Sequence, residues 1–307
     1  MSALPAAAAG SLTGGAVAIL TTADPAAKAA LSRALAGAWA ARGLPIGDAI
    51  PPLRPARPGR PRLLPPREMP RRRNFGSPAG RIALLHALAH IELNAIDLAW
   101  DLVARFGGEA ALPRTFFDDW VGVAAEEARH FLLLAARLAE LGTGYGDLPA
   151  HDGLWEAAAA TSDDLLPRLA IVPLVLEARG LDVTPEMAQR LDHAGDCRSA
   201  RLLRYIYRQE IGHVATGMRW FEWLCRHRGH VAAAVFREQV AQRFKGRLKP
   251  PFNHAARRAA GFPKDYYDPA ADHDPATDHD PAADHDPAAD HDPADGAPPD
   301  ASARGLC

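Results

Sequence analysis

Two short segments decide the fold of this chain: Glu127-Ala-Arg-His130 and Glu210-Ile-Gly-His213. Residues three apart share one face of an α-helix, so each Glu and its His can bind the same metal ion from one helix. Both segments interrupt apolar stripes of helical period, which predicts that both pairs face a protein core.

Two further glutamates complete the pattern. Glu92 interrupts an apolar helical stripe between residues 85 and 103, and Glu177 follows the apolar run of residues 171–176. In chain order the set is Glu, Glu-x-x-His, Glu, Glu-x-x-His, which is the ligand set of a two-metal carboxylate site in a four-helix bundle. The four carboxylates would balance the charge of two divalent ions.

The alternative is a set of buried glutamates held by salt bridges. No Lys or Arg lies in these stripes, and an unpaired buried charge costs several kcal/mol. Four of them would exceed a domain's net stability of about 5–15 kcal/mol. The pattern therefore favours two Fe ions, two Mn ions or a mixed Fe/Mn pair, with Zn able to compete by affinity. The predicted ligands are Glu92, Glu127, His130, Glu177, Glu210 and His213.

The rest of the chain predicts an all-α protein, because no segment alternates with the period of a strand. We expect a four-helix bundle with extra helices at both ends and a Pro/Arg-rich wrapping segment. A short helix is predicted to begin at Thr184-Pro185. The other predicted helices cover residues 25–41, 78–106, 114–141, 162–180, 196–228 and 230–243.

The composition predicts four parts. Residues 1–44 form an N-terminal helical extension. Residues 45–77 form an extended segment that wraps the bundle, because proline forbids regular helix and central strand. Residues 78–267 form the bundle with a C-terminal extension. Residues 268–295 repeat Asp-His-Asp-Pro-Ala-Ala without an apolar side chain larger than Ala or Pro, which predicts that residues 268–307 form a disordered acidic tail. Its histidines either capture metal weakly or only solvate the chain.

The net charge of −2 conceals two opposite parts. Subtracting the 11 tail Asp from 37 acidic residues, and Arg304 from 35 basic ones, leaves 26 acidic and 34 basic, a net of +8. A basic core can attract nucleic acid, although it lacks the interleaved aromatics of single-strand binders.

Localisation is predicted to be cytoplasmic. The chain contains no apolar run of about 18 residues, the length that would indicate a membrane span, so no membrane partner is expected. The three cysteines form no Cys-x-x-Cys motif, which agrees with a reducing compartment.

Several residues near the ligands were considered as groups that orient them from outside. Glu126 and Gln209 each directly precede a helical Glu ligand and are suited to hold the histidines, or else face solvent. His90 and Asp97, with His86, lie on a face offset from Glu92 and could form an outer network or an access path. Tyr207 lies one turn before Glu210 and is either redox-active or a core aromatic. The predicted outer residues are therefore Glu126, Gln209, His90, Asp97 and Tyr207.

The chain resembles the ferritin-like superfamily and, more closely, a bacterial ferritin-like family of unknown function. The resemblance spans about residues 55–267 and adds flanking motifs to the ligand pattern. These motifs are PGRP (58–61), PPREMP (65–70), HxxxHIELNAID (86–97), EEARH (126–130), RQEIGHV (208–214) and LKPPFN (248–253). The resemblance implies di-metal carboxylate chemistry. The ligand order is also similar to that of tRNA-modifying di-iron hydroxylases, whose flanking motifs differ, so their substrate does not carry over.

The leading functional prediction is a non-haem di-iron oxidoreductase that activates O₂ or peroxide on an unknown, small-molecule substrate. Glu127 and Glu210 would bridge the metals, and Glu92 and Glu177 would be terminal ligands. Electrons would come from an external donor, because no internal redox domain is visible. No catalytic residue is assigned. The alternatives are a non-catalytic metal-binding or iron-handling protein, and an RNA-associated hydroxylase acting through the basic core.

Overall fold

The computed structural model describes residues 10–41, 43–70, 76–109 and 111–268, and this part of the chain is all-helical. The predicted all-α class is confirmed, and within these ranges the only extended pairing is an isolated bridge between Leu63 and Ala150. A 3₁₀ turn covers Pro66–Glu68, and a π-helical turn covers Val172–Glu177. The α-helices are α1 Leu12–Leu20, α2 Pro25–Ala40, α3 Pro78–Arg105, α4 Arg114–Glu140, α5 Gly153–Ala159, α6 Leu165–Ile171, α7 Ala178–His193, α8 Cys197–His227, α9 Ala232–Arg243, α10 His254–Ala259 and α11 Lys264–Tyr267.

Five of the predicted helices are confirmed to within about two residues: α2, α3, α4, α8 and α9. The caps explain the accuracy of the starts. The side chain of Asp24 accepts a hydrogen bond from Ala27 N at 2.7 Å at the start of α2, and Ser77 caps α3 in the same way. Helix α1 was not predicted, although its apolar face, including Leu12 and Ile19, is fully buried.

The long helices pack in two pairs, α3 with α4 and α7 with α8, and α4 also contacts α8. The N-terminal helices complete the same core, because α1 packs on α3 and α2 packs on α4. Trp39 of α2 shows how closely: its ring is buried, and its Nε1 donates to Asp118 Oδ1 of α4 at 2.8 Å.

The third long element differs from its prediction. We expected a helix to end at Gly180 and a new one to begin at Thr184, but α6, the π turn and α7 form one continuous helical run, with Pro185 inside α7. Burial of Leu181 and Leu191 against α8 outweighs the local preference for a break, as tertiary packing often does.

The π turn is held close to α8 by a glycine. A Cβ on Gly217 of α8 would lie 2.5 Å from Pro173 Cβ, a distance that side chains do not tolerate. The absent side chain therefore lets the π turn approach α8, and Glu177 is the last residue of that turn. Single π turns in helices often occur at functional sites.

The Pro-rich segment runs along the helices in a largely extended conformation over residues 43–70, apart from the short 3₁₀ turn. Its backbone contacts α1, since Ala56 N donates to Leu20 O at 2.7 Å. Its side chains contact α3, where Arg57 Nη1 lies 2.6 Å from Asp97 Oδ2. Arg54 pairs with Asp152 beyond α4. The segment thus contacts α1, α3 and, through Asp152, the region that follows α4.

Helix α3 bears on the expectation that the chain has no membrane-spanning helix. It is long and apolar enough to cross a membrane by length and composition, but its most apolar window is 72% buried inside the protein. That burial is consistent with a core helix of a soluble protein.

Parts of three predicted segments fall outside the described residues. They are residues 1–9 of the N-terminal extension, residues 71–75 of the Pro/Arg-rich segment, and residues 269–307 of the acidic tail.

Candidate metal centre

The structure brings two helical Glu-x-x-His pairs together at the contact between α4 and α8. Both histidines turn the same ring nitrogen, Nδ1, toward a shared group of carboxylates. His130 Nδ1 lies 3.2 Å from Glu92 Oε2 and 3.2 Å from Glu127 Oε2. His213 Nδ1 lies 2.9 Å from Glu127 Oε1 and 3.4 Å from Glu210 Oε1.

Glu127 and Glu210 are placed between the two histidines. Glu127 presents Oε2 to His130 and Oε1 to His213. Glu210 Oε1 lies 3.5 Å from His130 Nδ1 and 3.4 Å from His213 Nδ1. Glu92 lies beside His130, and Glu177 is near enough to the cluster for the charges of Glu127, Glu210 and His213 to act on its pKa.

The site is deeply buried. Glu127 is 1% exposed, His130 is 0% and His213 is 2% exposed. One ligand atom from each of Glu92, Glu127, His130 and Glu210 lies within 4.8 Å of all the others. This buried Glu/His cluster could therefore hold a metal ion.

The donor separations are compatible with metal binding, although His130 Nδ1 also makes hydrogen bonds to Glu92 and Glu127 at 3.2 Å. His213 Nδ1, Glu177 Oε2 and Glu210 Oε1 are buried and have no hydrogen-bond partner among the described residues. Metal–N and metal–O bonds of about 2.0–2.2 Å place neighbouring donors roughly 3.0–3.4 Å apart, for right-angled and tetrahedral arrangements respectively. The observed spacings of 2.9 to 3.5 Å match that range.

The outer nitrogens of both histidines are held by the residues that precede the helical glutamates, and the pairs are crossed. His130 Nε2 of α4 lies 2.9 Å from Gln209 Oε1 of α8. His213 Nε2 of α8 lies 2.8 Å from Glu126 Oε2 of α4. When Nε2 carries the proton and donates it outward, Nδ1 presents its lone pair to the cluster.

The metal-free cluster carries more carboxylate charge than its two imidazoles can balance. Burial raises the pKa of Glu92, and the charge of Glu127 raises it further. Burial, followed by the charges of Glu127 and Glu210, raises the pKa of Glu177 to about 8. Burial acts to raise the pKa of Glu127 as well, but His213 and His130 outweigh it and the pKa is lowered. Bound cations would remove this mutual repulsion.

Three of the residues expected around the ligands have other partners. His90 contacts Tyr145 Oη at 2.8 Å through Nδ1 and the His151 carbonyl oxygen at 3.0 Å through Nε2, and burial lowers its pKa to about 3. Both of its ring nitrogens are therefore engaged by groups other than the six predicted ligands, whereas the alternative of an access path stays a prediction, since His90 lines a cavity beside α3 and α5. His86, on the same face, accepts from Gly146 N at 2.9 Å through Nε2.

Asp97 and Tyr207 also contact groups other than the six predicted ligands. Asp97 is fully buried between Lys28 and Arg57, so it anchors α2 and the Pro-rich segment to α3. Tyr207 Oη accepts from Asn253 Nδ2 at 3.0 Å and faces the C-terminal segment. A redox role for Tyr207 stays a prediction, and its packing against the hydrophobic core agrees with the alternative of a core aromatic.

Tyr205 is the aromatic that sequence reasoning missed. Its ring meets His130 edge to face, with centroids 6.2 Å apart and planes at 89°. Its hydroxyl is buried and has no hydrogen-bond partner within the described ranges. No periodic signal distinguishes Tyr205 from Tyr207, since both lie near the same stripe of α8.

The fold and the site together define an all-helical protein with a buried Glu/His cluster that could hold metal. Comparison with known families matches residues 21–268 to the family described as "Protein of unknown function (DUF455)", and the chain belongs to this family. The chain is 42% identical over 215 residues to an "Uncharacterized protein" of Haemophilus influenzae, an alignment that covers 69% of this chain and 74% of that protein. No solved structure matches the chain significantly.

Proposed function

We propose that the six clustered residues bind two metal ions in a ferritin-like four-helix bundle. The four helical elements are α3, α4, the run from α6 to α7, and α8. The observation that supports this most directly is the position of the Glu127 carboxylate, whose two oxygens face two different histidines. A carboxylate placed in this way bridges two ions, as in ferritin-like di-metal sites.

Each ion would have its own terminal ligands. One would bind Glu92 and His130, the other Glu177 and His213, and Glu127 and Glu210 would be shared. The unpartnered state of Glu177 Oε2 and Glu210 Oε1 supports this assignment, because buried acceptors normally have partners.

We further propose that the protein is a non-haem oxidoreductase that acts on O₂ or peroxide. A pair of Fe or Mn ions would supply the redox chemistry, and electrons would come from an external donor. The chain's own residues bind and orient the ions, Gln209 and Glu126 fix the two imidazoles, and the burial of Glu127 and His130 excludes bulk water.

Metal analysis of the purified full-length protein tests the site. We expect up to two Fe or Mn ions per chain, and loss of both in the double variant Glu127→Ala with Glu210→Ala. A matched double variant, Glu68→Ala with Glu238→Ala, removes two glutamates that are exposed and far from the cluster in sequence, and should keep its metal. Unchanged metal content in the first variant would contradict the ligand assignment.

Oxygen consumption tests the reaction class. Anaerobic loading with Fe(II), followed by mixing with O₂, should give rapid O₂ uptake that depends on Glu127 and Glu210. Metal binding without rapid uptake would support a non-catalytic metal-binding or iron-handling protein instead.

A further inference from the structure

A second feature lies beside the metal cluster: a cavity of about 380 Å³ between α3, α5, the end of the π turn and the C-terminal segment. Its volume lies in the range of about 300–1,000 Å³ that is typical of small-molecule sites. The walls are mainly apolar. They include Ala87, Ile91, Leu154, Val175, Leu176 and Phe252.

The cavity is adjacent to the predicted ligands through the chain itself. Ile91 of its wall directly precedes Glu92, and Leu176 directly precedes Glu177. Two of the elements that carry terminal ligands therefore also form the cavity wall.

The cavity lining is also strongly basic. The cavity has six basic and two acidic lining residues, Glu156 and Asp182, which gives a formal excess of four positive charges. The basic lining residues are Arg179, Arg243, Lys245, Arg247, Lys249 and Arg257. The cavity thus combines an apolar wall with a cationic wall.

Arg257 is the basic residue best placed to bind a ligand. It is 2% exposed, and its Nε and Nη2 donate to the two oxygens of Asp182 at 2.9 and 2.6 Å. Its Nη1 is buried and has no hydrogen-bond partner among the residues that the structure describes. A guanidinium has five N–H donors in a planar fork, so pairing one edge with Asp182 leaves the other edge for a second acceptor.

A buried donor without an acceptor destabilises the folded protein, and more so when the group is charged. Asp182 does not supply an acceptor for Nη1. Its two fully buried oxygens already accept from Nε and Nη2 of Arg257, and Oδ1 also accepts from Asn253 N at 2.9 Å. A ligand oxygen that carries negative charge would satisfy Nη1 inside the cavity.

We propose that this cavity binds an amphipathic anion: an apolar chain or ring that ends in a carboxylate or phosphate. The anionic end pairs with Arg257 Nη1, and the apolar body lies along Ile91 and Leu176 on the side of Glu92 and Glu177. Calling this ligand the substrate rests on the proposed function, whereas the binding itself does not.

Isothermal titration calorimetry of the full-length protein, with and without metal, tests the proposal. The probes are dodecanoate, dodecyl phosphate and dodecanol, each below its micelle-forming concentration. We expect one molecule of either anion to bind per chain, and the two anions to compete with each other. Dodecanol should bind at least roughly tenfold more weakly than the anions, which is the loss of affinity expected for one charge-assisted hydrogen bond. Comparison of the two anions shows whether the site prefers a carboxylate or a phosphate.

Variants separate the two halves of the ligand. Arg257→Lys keeps a positive charge beside Asp182 but lacks the second edge of the fork, and should weaken both anions roughly tenfold or more. Arg258→Ala removes an equal charge from the exposed neighbouring position and should bind as the wild type does. Ala157→Phe should fill part of the cavity and weaken all three probes. Melting temperatures establish that each variant is folded.

Three results would overturn the proposal: equal affinity for dodecanol and the anions, binding of several molecules per chain, or inorganic phosphate as effective as dodecyl phosphate. Displacement of dodecyl phosphate by a short RNA, together with the last result, would assign the basic wall to nucleic acid. If Arg257→Lys does not fold, the comparison of probes on the wild type and on Ala157→Phe still decides. Anion binding without O₂ uptake would reject the proposed reaction and leave this site standing.

Discussion

Gln209 Oε1 lies 2.9 Å from Nε2 of His130, so a side chain of α8 fixes the ring of a histidine on α4. Glu126 of α4 contacts His213 of α8 in the reciprocal way, at 2.8 Å. Each helix therefore supplies its own Glu-x-x-His pair and the residue that orients the other helix's histidine. This crossed arrangement couples the packing of α4 on α8 to the geometry of the cluster.

The first prediction concerns this orienting contact. Gln209→Leu removes the acceptor for His130 Nε2, frees the imidazole to change its protonated nitrogen, and should lower metal affinity by about 10–100-fold. Competition with a chelator of known affinity measures the change. Arg208→Ala, at the exposed neighbouring position, is the control and should keep wild-type affinity. Equal affinities in Gln209→Leu and the wild type would assign Gln209 a packing role only.

The second prediction separates shared from terminal ligands. Glu127 presents one oxygen to each histidine, whereas Glu92 lies beside His130 alone. Glu92→Gln should therefore lower the stoichiometry from two metal ions per chain to one, and Glu127→Gln should lose both. Anaerobic titration with Fe(II) or Mn(II), followed by elemental analysis, gives the numbers. Identical losses in the two variants would argue against a bridging Glu127.

Helical periodicity predicted much of the site because the decisive information is local. The three-residue spacing of Glu127 and His130 places both on one face of α4 whatever the tertiary fold. Glu126 and Gln209 could be selected because they precede equivalent glutamates. Which histidine each one holds depends on how α4 and α8 are aligned, and no local pattern encodes that alignment.

The features that local sequence patterns did not reveal depend on contacts between distant segments. Asp97 pairs with Lys28, 69 residues away, and Arg57, 40 residues away, so its partner could not be read from its own helix. Arg257 and Asp182 are separated by 75 residues. The continuous α7 follows from burial of Leu181 against α8, which outweighs the break expected near Pro185.

The third prediction tests the corrected role of Asp97. Asp97 is 0% exposed and compensates Lys28, which is 1% exposed, together with Arg57. Asp97→Ala would leave buried cations unpaired and should lower the free energy of unfolding by about 3–5 kcal/mol. Arg54→Ala, which breaks an ion pair whose Arg side chain is 63% exposed, should change it by only about 0–1 kcal/mol. Denaturant unfolding measures both variants.

Metal content distinguishes that structural role from one at the cluster. Asp97→Ala should retain two metal ions per folded chain, because its carboxylate contacts none of the six predicted ligands. Loss of metal at a denaturant concentration where the variant is fully folded would restore Asp97 to the outer surroundings of the site.

The fourth prediction concerns the removal of metal. The cluster brings four carboxylates together in a buried site, and burial raises the pKa of two of them, Glu92 and Glu177, so bound cations should stabilise the folded state. A ligand that binds only the folded state contributes about 4 kcal/mol at a free concentration a thousandfold above its dissociation constant. Treatment with a chelator should therefore lower the melting temperature, and added Mn(II) should restore it. A melting temperature that is indifferent to both would contradict metal binding in the folded state.

The last prediction uses two glycines of α8 that differ in their surroundings. A Cβ at Gly217 would lie 2.5 Å from Pro173 Cβ, whereas a Cβ at Gly212 has nothing within 4 Å. Gly217→Ala should push the π turn away from α8 and lower the free energy of unfolding by about 1–3 kcal/mol, the usual cost of overpacking. Gly212→Ala should raise it by about 0.5–1 kcal/mol, since alanine favours a helix interior over glycine.

The two glycine variants also test how Glu177 is positioned. Because Glu177 ends the π turn, Gly217→Ala should lower the affinity for the metal ion that Glu177 and His213 would bind. The affinity for the other ion should change less. Gly212 directly precedes His213 in the chain, so Gly212→Ala is a control for changes within α8. If Gly212→Ala keeps both ions, the effect of Gly217→Ala comes from the displaced π turn and not from a change in α8 itself. Denaturant unfolding and stepwise metal titration measure the two effects separately. Destabilisation of Gly217→Ala with both ions bound as in the wild type would mean that the close approach of Pro173 serves stability alone.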